Sequence, residues 1–128
     1  MKSQKFYQSL GKLFYAIASV DKVVRKDEVE ILKSLVKEKW LDLDDVEDEF
    51  GTDAAYQIEI VFDWLLDQEA GSASTFRDFQ EFFKNQPNLF SPKAKKMILE
   101  TSESIAAAFS GKNKDEEQFL NDLKSLLK

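Results

Sequence analysis

Apolar side chains return every three or four residues along this chain, and that spacing does most to limit what it can fold into. Phe6, Leu10, Leu13, Phe14 and Ile17 fall on one side of a helix with about 3.6 residues per turn. Val29, Leu32, Leu35 and Val36 repeat the pattern, as do Phe119, Leu120, Leu123 and Leu127 near the C-terminus. No segment sustains the period-two alternation of a half-buried strand. The chain therefore reads as all-α, a compact bundle of about six helices in a single domain over residues 1–128. Only 4 glycines and 2 prolines interrupt it, too few turn residues for many short strands.

The breaks between helices can be placed from turn and cap residues. A first helix is expected from about Ser3 to Val20, a short connection over Lys22–Arg25, and a second helix to about Lys39. The segment from Trp40 to Gly51 reads as an acidic loop or a short helix. Asp53 then serves as N-cap of a third helix whose apolar stripe is Tyr56, Ile60, Val61, Trp64 and Leu65. Gly71, with Ser72 and Ala73, is expected to end it, and a fourth helix to begin near Ser74 or Thr75. Pro87 stops that helix, because proline disfavours helical backbone at the residue before it. Ser91 and Pro92 make an N-cap and first helical residue for a fifth helix, which runs to about Ser110 before Gly111. The sixth spans Lys114 to the C-terminus.

What the chain lacks prunes its chemistry. Its net charge of −6 repels phosphate backbones, so nucleic acid is not an expected partner. Without cysteine, a disulfide framework, a thiolate nucleophile and a zinc–thiolate site are excluded, and without histidine so is the commonest general base. Any metal would be a hard cation, Ca²⁺ or Mg²⁺, on carboxylate oxygens. No segment approaches the ~20 apolar residues of a membrane span, and the N-terminus lacks the apolar core of a signal peptide, which implies a cytoplasmic protein. No pair of groups is spaced for general acid–base or nucleophilic work, so enzymatic activity is not expected.

Two segments align without gaps: residues 17–28, Ile-Ala-Ser-Val-Asp-Lys-Val-Val-Arg-Lys-Asp-Glu, over residues 105–116, Ile-Ala-Ala-Ala-Phe-Ser-Gly-Lys-Asn-Lys-Asp-Glu. The match continues through Leu32 over Leu120 and Leu35 over Leu123. Each copy is a helix ending in small residues, a turn and an acidic helix start, giving two related helix-turn-helix hairpins at the ends of the chain.

The stretch Phe14-Tyr15-Ala16-Ile17-Ala18-Ser19-Val20-Asp21, with Glu28 seven residues on, resembles the tellurite-resistance TerB-like family. That family's mark is a helix ending in alanine and aspartate, usually then glycine, with a glutamate opening the next helix. The resemblance implies an all-helical fold with two such hairpins and, in some members, an acidic metal site. Carried onto this chain, it implies Asp21, Glu28 and Glu116 as metal ligands. Lys22 stands where glycine is usual, and Phe109 replaces the aspartate in the second copy, so a four-carboxylate site is not intact. An EF-hand starting at Asp21 is excluded: its third, fifth, sixth and twelfth positions are Val23, Arg25, Lys26 and Leu32.

Each candidate also has a plainer role. Asp21 can shape the turn by accepting backbone N–H bonds, and Asn113 with Glu116 has capping-box spacing. Arg25 at the equivalent position is a poor cap, which leaves Glu28 with less capping work. From Trp40 to Phe76 there are eleven acids and no lysine or arginine, a field suited to a basic partner or to solubility. Phe76, Phe79, Phe82, Phe83, Phe90 and Trp64 read as core or as the lining of a cavity, with one of the adjacent Phe82–Phe83 pair turned outward. Together these features lead to three expectations. The first is a TerB-like binding or scaffolding domain of a bacterial stress response, with another protein as partner and a divalent cation as optional ligand. The second is a metal-independent interaction module with an acidic or aromatic surface. The third is a small-ligand carrier or enzyme with an aromatic cavity.

Overall fold

The computed structural model describes residues 4–20, 26–40, 48–109 and 114–127, without the side chains at 4, 26–28, 36, 37, 39, 40, 48–56, 108, 109, 115 and 116. The described residues form six α-helices and no strand: α1 (Gln4–Ala18), α2 (Lys26–Trp40), α3 (Asp48–Asp67), α4 (Ser72–Asn85), α5 (Pro92–Phe109) and α6 (Lys114–Leu127). A short 3-10 turn, Pro87–Leu89, separates α4 from α5. No helix among the described residues is long and apolar enough to cross a membrane.

α1 is the centre of the bundle. The expected stripe of Phe6, Leu10, Leu13, Phe14 and Ile17 is buried, but so are Tyr7, Tyr15, Ala16 and Ala18 on its other sides. Among its described side chains only the stripe of Lys5, Gln8 and Lys12 reaches the surface, so α1 needs neighbours on most sides, and it packs against α3, α4 and α5, most extensively against α3. Gly11 makes that approach possible: a Cβ there would lie 2.9 Å from the Ile58 carbonyl oxygen and 2.9 Å from the Val61 Cβ. α2 covers α3 and α5, and α6 lies against α5.

α3 departs from the expected reading in three ways. It begins at Asp48, so Asp53 lies inside the helix and cannot be its N-cap. The helix runs through Gly51 despite a propensity cost of about 1 kcal/mol, and Asp48 and Glu49 occupy a first turn where negative charge is favoured. Its buried face is Ile58, Phe62 and Leu65, whereas Ile60 and Trp64 are each 54% exposed. Nor does the helix end at Gly71. Glu69 takes a left-handed conformation (φ 53°), its N–H donates to the Leu66 carbonyl at 3.1 Å, and the Ala70 N–H donates to the Leu65 carbonyl at 3.1 Å. This is a Schellman stop with glutamate in the place that usually holds glycine. Gly71, in extended conformation, is instead the N-cap of α4, which starts at Ser72 rather than near Ser74. Because a left-handed residue with a Cβ costs ~1–2 kcal/mol and glycine gives part of that back as chain entropy, Glu69→Gly is expected to stabilise the fold by about 0.5–1 kcal/mol. A urea midpoint that does not rise would contradict this reading of the turn.

The other boundaries agree with expectation. α4 stops at Asn85 before Pro87, and the Ala94 N–H donates to Ser91 Oγ at 3.1 Å, which makes Ser91 the N-cap of α5. Phe90 sits between the two helices, 4% exposed, with its ring centroid 4.8 Å from Phe83, 5.0 Å from Phe6, 6.0 Å from Phe79 and 6.1 Å from Phe82. Phe76 meets Phe119 at 4.2 Å and so joins α4 to α6. Thus the phenylalanines of α4 belong mainly to the core. Phe83 is buried and Phe82 only half-buried, as their adjacency requires, while Trp64 stands apart from them on the surface.

Candidate functional site

The residues expected to bind a metal fall outside what can be described in detail. Asp21 lies outside the described residues, and Glu28 and Glu116 are placed only as backbone, in the first turns of α2 and α6. Residues 41–47 of the acidic segment also lie outside them. Among the described residues, no three acids gather closely enough to hold an ion. The repeated segments share some buried positions, Ile17 with Ile105, Ala18 with Ala106 and Leu32 with Leu120, but Ser19 and Val29 are buried where Ala107 and Glu117 are exposed. The expected pair of like hairpins is not formed among the described residues: α6 lies against α5, whereas α2 packs on α3 and α5 rather than on α1.

Among the described residues, an open groove of about 900 Å³ lies where three helix ends meet. Tyr15, Ser19 and Val20 come from the end of α1, Leu66, Glu69 and Ala70 from the end of α3, and Gly71–Ser74 with Arg77 from the start of α4. The small residues Ala70, Gly71 and Ala73 leave the space, since none has a side chain long enough to fill it.

Cross-helix hydrogen bonds hold its walls. The Tyr15 hydroxyl donates to the Ala70 carbonyl at 2.7 Å, and the Ser72 hydroxyl donates to the Ala16 carbonyl at 2.7 Å. Both bonds join the α3–α4 turn to α1 and fix the groove's width. Ser19 turns its hydroxyl back onto the Tyr15 carbonyl at 2.8 Å, so its polar atom is satisfied within α1. Burial pushes the Tyr15 phenol above its ordinary pKa, hydrogen bonding with Ser19 works the other way, and the Glu69 charge raises it further. The phenol therefore stays neutral at physiological pH and keeps its proton for Ala70.

Chemically, the groove offers apolar surface from Val20, Leu66, Ala70 and Ala73, with one carboxylate (Glu69) and one guanidinium (Arg77) among its described lining residues. Its volume lies within the usual range for ligand sites, but it is open rather than enclosed. Among the described residues its lining contains no carboxylate pair and no nucleophile beside a base. Its open apolar walls suit contact with an apolar segment. Sequence reasoning missed the groove because Gly71, Ser72 and Ala73 read as a helix terminator. A usable signal was that run of small residues, which leaves a void wherever another helix end lies nearby.

A second surface feature lies on α3. Successive helical residues turn by about 100°, which places Ile60, Asp63, Trp64 and Asp67 on one ridge, opposite Ile58, Phe62 and Leu65. All four ridge residues are exposed. Lys33 of α2 reaches Asp63 at 3.2 Å, an exposed pair worth about 0–1 kcal/mol.

No family model, curated protein or solved structure matches this chain.

Proposed function

We propose that this chain is a non-enzymatic, TerB-like binding or scaffolding domain of a bacterial stress response, and that it receives an apolar segment of another protein in the groove between α1, α3 and α4. The observation that carries the binding part of this reading is the groove itself, a concavity of about 900 Å³ whose walls are braced by the Tyr15–Ala70 and Ser72–Ala16 hydrogen bonds, while the TerB-like part rests on the resemblance of residues 14–28 alone. A braced site loses little conformational freedom on binding, so more of the contact energy appears as affinity.

The test uses peptides selected from a random display library on the immobilised full chain. Ala73 is exposed and lines the groove, so Ala73→Trp should fill the site without disturbing the core. Peptide affinity is expected to fall by at least about tenfold in that variant, the size typical of a blocked central contact. Binding that ignores the tryptophan would remove the groove from consideration.

A second reading rests on the resemblance of residues 14–28 alone, in which Asp21, Glu28 and Glu116 hold Ca²⁺ or Mg²⁺. Calorimetric titration separates it from the first. Heat with either ion that disappears in Asp21→Ala supports a cation site, whereas peptide binding that ignores chelator supports a module working without metal.

A further inference from the structure

We infer that the outer ridge of α3, built from Ile60, Asp63, Trp64 and Asp67, is a second docking surface, and that its occupant is a lysine- or arginine-rich amphipathic helix of a partner protein. This goes beyond the groove and rests on different residues.

The first observation is exposure. Ile60 and Trp64 are each 54% exposed and sit four residues apart, adjacent on the helix surface, on the side directly away from the core. Isolated surface apolars are ordinary, but a tryptophan beside an isoleucine on one ridge forms a small continuous patch. Tryptophan in particular is the side chain most often found carrying binding energy at protein interfaces.

Charge identifies the occupant. Asp63 and Asp67 interleave with the two apolar residues, and the whole of α3, Asp48–Asp67, contains no lysine or arginine. Lys33 of α2 already reaches Asp63 at 3.2 Å in an exposed pair, so an incoming cation meets Asp67 and shares Asp63 with Lys33. An apolar ridge edged by carboxylates complements a helix that carries an apolar stripe edged by cations. The same charges argue against the other occupants. An anionic lipid surface would be repelled. A two-fold dimer of this chain through the ridge would set Asp63 and Asp67 near their own copies, and like charges at an interface are unfavourable.

The experiment titrates the full chain with a defined probe, a synthetic helix of about 18 residues (~27 Å long) with leucine along one face and lysine elsewhere. The comparison peptide has every lysine replaced by glutamate. Saturable binding of the lysine peptide alone is expected, weakening with added salt as surface charges are screened. Trp64→Ala is expected to reduce affinity by about tenfold or more. The double variant Asp63→Asn with Asp67→Asn should weaken binding and flatten its salt dependence. All three side chains are exposed, so unchanged thermal midpoints will show that a loss is not unfolding.

Ala73→Trp should leave this binding intact, which separates the ridge from the groove. Equal affinity in wild type and Trp64→Ala would overturn the inference, as would equal binding of the glutamate peptide. So would a concentration-dependent dimer that Trp64→Ala abolishes, because a second copy would then be the occupant.

Discussion

Replacing Phe90 by alanine is expected to destabilise the fold by about 3–5 kcal/mol, the range for removing a buried aromatic ring from a core that cannot collapse onto the space. The ring is 4% exposed and meets Phe6, Phe79, Phe82 and Phe83, so its loss removes the contact shared by α1, α4 and the start of α5. Those neighbours are held on helices and cannot all move inward. Against a total stability of roughly 5–15 kcal/mol, such a loss leaves a large unfolded fraction. The measurement is urea unfolding followed by circular dichroism, with a lower midpoint and an unchanged slope. Phe90→Leu keeps most of the volume and should cost well under half as much. If the alanine variant loses less than about 1 kcal/mol, Phe90 is not the hinge of this aromatic cluster.

Gly11→Ala comes next in size and has a sign that helix propensity alone gets wrong. Alanine is the better helix former by about 1 kcal/mol, and on that ground the substitution should stabilise α1. In the bundle, the new methyl carbon would lie 2.9 Å from both the Ile58 carbonyl oxygen and the Val61 Cβ. Neither atom can be moved by rotating a side chain, so α1 and α3 must separate. Overpacking of this kind costs about 1–3 kcal/mol, which leaves a net destabilisation of up to roughly 2 kcal/mol after the propensity gain. Val61→Ala should not rescue it, because alanine retains the offending Cβ. A Gly11→Ala protein more stable than wild type would show that the two helices have room to spare.

The location and character of the helices were largely legible in the sequence. Ser91 followed by Pro92 identified the start of α5 because cap chemistry is local, and the Ser91 Oγ bond to the Ala94 N–H is made within one turn. Pro87 likewise ended α4 through its own backbone. Local signals failed where the stop used a residue that does not advertise it. Glu69 adopts the left-handed conformation normally left to glycine, so Gly71, two residues later, drew the assignment. The proposed groove was illegible for a related reason: its walls come from residues 15–20 and 66–77, brought together only when α3 turns back onto α1.

By itself, the sequence determined that this chain forms helices, that phenylalanine and leucine supply their buried faces, and that cysteine and histidine chemistry is absent. Tertiary structure decided which face each helix turns inward. α3 carries apolar residues around much of its circumference, so periodicity alone favoured a stripe through Ile60 and Trp64, while packing against α1 buries Ile58, Phe62 and Leu65. The physical reason is that helix formation is specified by bonds within about four residues. The choice of a buried face depends instead on which neighbour comes closest, and that is settled by atoms far apart along the chain.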